Sequence, residues 1–189
     1  MSTIIWTNTQ QAIDILWPAL NLWASNWGYK MPNIEYTMSY KYNMLDTPTI
    51  GYNCNTVGNF NETSREINIA FTGRDKRSKM YTLIHELAHM VQYFNLTTKF
   101  NKLYVAQTKE KGYYRNQFEV EARDASLALD TMLSDDPGLK KMFKRYNWLI
   151  TRPQSIYSSW GRCSAPEYYR PLKNTWSAKR YFGKLPDYY

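Results

Sequence analysis

Residues 78–95 read SKMYTLIHELAHMVQYFN, and this stretch constrains the fold more than any other. Met80, Leu83, Ile84, Leu87, Ala88 and Val91 recur at helical spacing, which predicts a helix with its apolar stripe in the core. Ser78 is its expected N-cap. Inside the run lies His85-Glu86-Leu87-Ala88-His89, an H-E-x-x-H pattern. Residues four apart on a helix stand one turn above each other, so both imidazoles project from one side. Two imidazoles so placed suit one zinc ion, with Glu86 beside the metal as general base toward its water. The bland alternative is a helix whose histidines merely line the core. These are the only two histidines in the chain, so no other pair competes for the role.

Two histidines leave zinc one short of the three protein ligands of a catalytic site. The extended H-E-x-x-H-x-x-G-x-x-H pattern is excluded, because Gln92 and Asn95 occupy its last glycine and histidine positions. The third ligand is therefore a carboxylate or water. Carboxylates stand in a second predicted helix, residues 117–133, with Phe118, Ala122, Ala125, Leu129 and Met132 as its core face. Glu119 and Glu121 are the candidates. A helical wheel puts Glu121 nearer the apolar face, so periodicity leaves both open.

These two segments resemble the zincin metallopeptidases whose third ligand is a glutamate, in particular the ImmA/IrrE-like and SprT-like groups. The resemblance rests on His85-Glu86-Leu87-Ala88-His89 with the strand before it, and on Glu119-Val120-Glu121-Ala122. In several such families the second motif is Glu-x-x-Ala followed by Asn or Asp, and its first Glu binds zinc. The resemblance thus implies Glu119 as third ligand, with Glu121 the second choice. Arg123 stands where Asn or Asp is expected, so the carboxylate orienting a ligand histidine has to come from elsewhere, Asp124 or Asp130. The zinc ribbon of the SprT-like group is absent. The implied activity is zinc-dependent hydrolysis of a protein or peptide, with Glu86 taking the water's proton and returning it to the leaving amine. In related folds the strand before the metal helix pairs with extended substrate, here residues 66–71. An oxyanion donor is open among Tyr93, Tyr113, Tyr114 and Arg115.

The rest of the chain is read around that pair of helices. Residues 9–26 are an amphipathic helix through Ile13, Leu16, Trp17, Leu20 and Trp23, interrupted at Pro18 and ended by Gly28. Residues 34–42, 50–52 and 65–71 read as three short strands, the last with Ile67, Ile69 and Phe71 on one face. Residues 96–115 are basic and weakly periodic, and read as a loop. Asp136-Pro137-Gly138 opens a third helix through about Trp148. The expected fold is α+β: a small, mainly antiparallel sheet packed on the H-E-x-x-H helix and the Glu-bearing helix, in one domain over residues 1–150.

Residues 151–189 hold four prolines, nine aromatics and seven basic residues against Glu167 and Asp187. They read as an extended arm that packs along the domain or onto a partner. Residues 1–95 carry equal numbers of acidic and basic side chains, so the net charge of +8 falls wholly on residues 96–189. A basic half suits an acidic partner such as nucleic acid. The non-enzymatic alternative is a structural or interaction subunit of a larger assembly, such as a phage particle, docked through the arm. No run of 18 apolar residues spans a membrane. Cys54 and Cys163 form no Cys-x-x-Cys, and no signal peptide opens the chain. The default reading is cytoplasmic, in the host cytoplasm or virion if the chain is phage-encoded.

Overall fold

The structure is a computed structural model that describes residues 2–45, 58–70 and 76–146. The predicted strand at 50–52 and the arm at 151–189 lie outside the described residues. The fold is α+β and mostly helical, with one small three-stranded sheet.

Helix α1 (Ser2–Trp27) is longer than expected and runs unbroken through Pro18. The proline removes one backbone donor, but Ile13 and Leu16 before it and Leu20 and Trp23 after it are all buried. Packing on both sides holds the helix together across the gap. Gly28 ends it with φ of 73°. The Tyr29 amide bonds the Ala24 carbonyl at 2.8 Å and the Gly28 amide that of Ser25 at 3.3 Å, a Schellman stop that needs the left-handed glycine. The stop carries Tyr29 back onto Trp23, the two rings stacked at 5.4 Å.

The predicted strand at 34–42 is instead a short helix, α2 (Ile34–Met38), followed by strand β1 (Lys41–Leu45). Asn33 decides this locally, because its side chain accepts the Tyr36 amide at 2.8 Å and caps the turn. Strands β2 (Gly58–Asn61) and β3 (Glu66–Ala70) form a hairpin whose turn is held by Asn61 Oδ1, which accepts the amides of Thr63 and Ser64. The sheet order is β1-β3-β2. β1 runs parallel to β3, with Tyr42 opposite Ile67, while β2 runs antiparallel, with Phe60 opposite the same residue. The sheet is thus mixed, not mainly antiparallel: β3 returns between its neighbours and is bonded on both sides. It therefore has no free edge for the substrate pairing expected of residues 66–71. Ile67 and Ile69 are fully buried, as their alternation predicts.

Helix α3 (Lys76–Leu96) carries the H-E-x-x-H segment and begins two residues before the expected cap. It packs on β2, β3, α1 and the later helix α5 (Gln117–Asp135). Residues 96–115, expected as loop, are largely helix α4 (Lys99–Lys111) with a 3-10 turn at Tyr113–Arg115. Gly112 stops α4 with φ of 77°. Asn116, fully buried, joins α4 to α5. Its Oδ1 accepts the Phe118 amide at 3.0 Å as N-cap, and its Nδ2 donates to Tyr104 O at 3.0 Å and Thr108 Oγ1 at 2.8 Å. Asp136 caps α6 (Pro137–Arg145) as expected, accepting the Leu139 amide at 3.0 Å. The described part of α6 ends before Trp148. Lys76 Nζ donates to the carbonyls of Phe143, Lys144 and Tyr146, which places a cation on the negative end of α6 and ties it to the start of α3.

No helix among the described residues is long and apolar enough to cross a membrane. Asn116→Ala removes a cap and leaves two part-buried acceptors without their donor. It should lower the unfolding free energy by about 2–3 kcal/mol, read as a lower urea midpoint at unchanged m-value.

Candidate metal centre

His85 and His89 project side by side from α3 with ring centroids 4.8 Å apart and planes near perpendicular. Their Nε2 atoms are 3.2 Å apart. Glu119 faces both from the first turn of α5: Oε1 lies 3.2 Å from His89 Nε2 and Oε2 3.3 Å from His85 Nε2. The three residues are buried and offer ligand atoms all within 4.8 Å of one another, so they could hold a metal ion. Asn116 at the cap puts Glu119 three positions into α5. A glutamate there commonly bonds back to the cap amide, whereas Glu119 turns into the histidine pair.

The second candidate, Glu121, is elsewhere. It is also buried, but its carboxylate accepts from Tyr29 Oη at 2.5 Å, Gln92 Nε2 at 2.9 Å and Gln117 Nε2 at 3.2 Å. It stands behind His89 rather than beside it. The group that meets His89 Nδ1 is Gln92 Oε1, at 2.8 Å. The carboxylates expected in that orienting role are not there: Asp130 bonds Arg77 and Tyr81, and no hydrogen bond joins Asp124 to either histidine.

Glu86 is buried on the flank of the site toward β2 and accepts a hydrogen bond from the Phe60 backbone amide. A Cβ added to Gly58 would lie 2.3 Å from Glu86 Oε1, so the strand passes against the carboxylate closely enough that only glycine fits. Tyr104, on the unexpected helix α4, donates from Oη to Glu119 Oε1 at 2.5 Å. Of the tyrosines singled out in the sequence, Tyr113 and Tyr114 are half exposed, and Tyr93 rests against Phe60 and Phe100. Sequence reasoning missed Tyr104 and the role of Gln92. Gln92 is three residues past His89, hence on the same helix face. Phe100, Tyr104 and Gln107 also fall on one face, but α4 offers few other apolar residues to show it.

The electrostatics are those of a dry, charged cluster. Burial raises the Glu86 pKa, opposed mainly by His85 and His89. Burial also works against a charged His89, yet the Glu119 carboxylate outweighs it and brings the His89 pKa up to about 9. For Glu119 burial is overcome in turn by the two imidazoles, which hold it far below the usual carboxylate range. Burial and the Glu119 charge push Tyr104 well above its ordinary value, so it stays a neutral donor. One atom is left over. Glu119 Oε2 is fully buried and makes no hydrogen bond, its approach to His85 notwithstanding.

Comparison with protein families, with curated proteins and with solved structures gave no match. The site is therefore interpreted from its own chemistry. In metal-free protein, Glu119→Gln removes the charge that raises His89, leaving burial as the main influence. The His89 pKa should fall from about 9 to below the ordinary imidazole value of about 6.5, measured by NMR titration of the ring protons. An unchanged value would mean that another group holds the proton.

Proposed function

We propose that this chain is a zincin-like metallopeptidase that hydrolyses peptide bonds at a zinc ion held by His85, His89 and Glu119. The observation that carries the reading is the convergence of their ligand atoms. Nitrogen and oxygen ligands about 2.0–2.1 Å from a tetrahedral zinc stand about 3.3 Å apart; here the two Nε2 atoms are 3.2 Å apart, and each has its own Glu119 oxygen in that range, Oε1 at 3.2 Å from His89 and Oε2 at 3.3 Å from His85. The orphaned Glu119 Oε2 supports it too. A single shared proton satisfies one pair of these atoms, whereas a divalent cation at their centre satisfies them all. Three protein ligands leave a position for water or substrate, as catalytic zinc sites do.

When bound, zinc supplies Lewis-acid polarisation and lowers the pKa of a water molecule. The chain's own groups do the rest. Glu86 accepts the proton of the attacking water and returns it to the leaving amine. The Phe60 amide and the Gly58 backbone keep its carboxylate from turning away. Tyr104 Oη is the phenol bonded into the site, which makes it the candidate donor to the developing oxyanion. Among the described residues β2 is an edge strand beside α3. It replaces β3 as the element along which an extended peptide would lie.

Wild-type protein should contain one zinc per chain. Glu86→Gln should keep it and lose peptide cleavage by on the order of 10²–10⁴-fold, whereas Glu119→Gln should lose the metal. The ligands of the metal-free site hold a proton, since His89 titrates at about 9. Zinc binding at pH 7 should therefore release about one proton, and apparent affinity should rise about tenfold per pH unit until pH 9. Calorimetry in buffers of different ionisation enthalpy reads both. A protein that stays metal-free in excess zinc, or a Glu86→Gln variant that still cleaves, defeats the proposal.

A further inference from the structure

Gln92 and Glu121 form a buried relay behind the metal ligands. Gln92 Nε2 donates both its protons, to Phe118 O at 3.1 Å and to Glu121 Oε2 at 2.9 Å. Both partners are acceptors, and an amide has its two protons on nitrogen alone. The amide therefore has one orientation open to it, and its Oε1 is what meets His89 Nδ1 at 2.8 Å. A carbonyl oxygen only accepts, so His89 Nδ1 has to carry the proton. That leaves Nε2 as the ring nitrogen aimed at His85 and Glu119.

Glu121 is itself fixed by donors from three directions: Tyr29 Oη, Gln92 Nε2 and Gln117 Nε2. Tyr29 is delivered by the Schellman stop of α1, and Trp23 Nε1 donates to the Glu121 carbonyl at 2.7 Å. Three separate elements thus converge on one buried carboxylate that touches no metal ligand. A leucine and a methionine of matched volume would fill the same space without burying a charge. The polar relay is explained if its task is to dictate the orientation of Gln92.

We infer that Gln92 and Glu121 are positioning residues that lock His89 in its Nδ1–H form, with Gln92 acting directly and Glu121 acting through it. The carboxylate–histidine pairing common behind metal ligands is here stretched by one amide. The consequence for zinc affinity rests on the metallopeptidase reading, but the lock itself is present without metal.

The test uses the full chain, with and without added zinc. In metal-free, nitrogen-15-labelled protein, the His89 Nδ1 proton should give a slowly exchanging signal. Glu121→Gln preserves shape but offers Gln92 a donor as readily as an acceptor, so the amide can turn over. His89 carries a second proton at neutral pH in the metal-free site, so that signal should remain but lose its protection and exchange faster, and zinc affinity, measured against a chromophoric chelator, should weaken 10–100-fold. The double variant Gln92→Glu, Glu121→Gln puts the carboxylate at His89 and the amide behind it. It should recover most of the loss, which a purely structural role for Glu121 would not allow. If Glu121→Gln does not fold, Gln92→Leu takes its place, with the same loss of protection at Nδ1 expected. Absence of the protected proton in the wild type, or its persistence together with full affinity in Glu121→Gln, overturns the lock. Failure of the wild type to bind zinc while the Nδ1 proton behaves as described overturns the metallopeptidase reading alone.

Discussion

From Lys79 to Gln92 every residue of α3 is buried, and six of those fourteen are polar or charged. A buried polar group left without a partner costs about 1–3 kcal/mol, more when charged, so most of the fold can be read as the means of supplying partners. Thr82 bonds back to the Ser78 carbonyl within the helix. The others need outside help. β2 brings a backbone amide to Glu86, α5 brings Glu119 to the histidines, and α4 brings Tyr104 to Glu119. Gln92 is met by α5 on two sides. The sheet is small because it is a flank to this helix, not a platform of its own. Among the described residues only Glu119 Oε2 remains unmet, and it is unmet at the point where the ligand atoms converge.

The helical pattern of α3 was legible because its residues obey one rule over about three turns, from Met80 to Val91: apolar groups at one spacing, with His85 and His89 four apart. The start of α5 was equally legible from the apolar face that begins at Phe118, although the Asn116 cap that fixes it was not singled out in the sequence. Asp136 and Pro137 announced α6 by cap chemistry alone. In each case the deciding interactions are local, reaching no further than four residues.

Elsewhere the sequence misled, once through an overlooked local cap and otherwise through contacts from further along the chain. Residues 34–38 alternate apolar and polar side chains, which suits a strand as well as it suits one turn of helix; the Asn33 cap and the burial of Thr37 settle it. α4 lacks a side-chain cap at Thr98, and Phe100 and Gln107 are its buried positions. Few apolar residues are enough because α4 is held by polar ties, Asn116 to Tyr104 and Thr108, and Gln107 Oε1 to the Gln117 amide. Hydrophobic periodicity has no access to a helix fastened in this way. The strand order is likewise set by how β3 returns between β1 and β2, which none of the three segments encodes alone.

Glu119 and Glu121 show most clearly what a helical wheel measures. Both are equally buried, and the wheel rightly places Glu121 closer to the apolar stripe. Depth along the stripe is nevertheless a different quantity from proximity to the histidines, which meet α5 at its first turn. Position along the axis, fixed by the Asn116 cap, hands Glu119 to His85 and His89 and leaves Glu121 one layer back against α1. The two carboxylates thus have opposite surroundings. Glu119 lies against two imidazoles that favour its charge, whereas Glu121 is hydrogen-bonded by neutral donors, which with a smaller influence of His89 offset part of its desolvation. A carboxylate surrounded by neutral donors orients; one facing two ring nitrogens with an oxygen to spare is built to share a cation. That division of labour follows from two residues of spacing on a single helix.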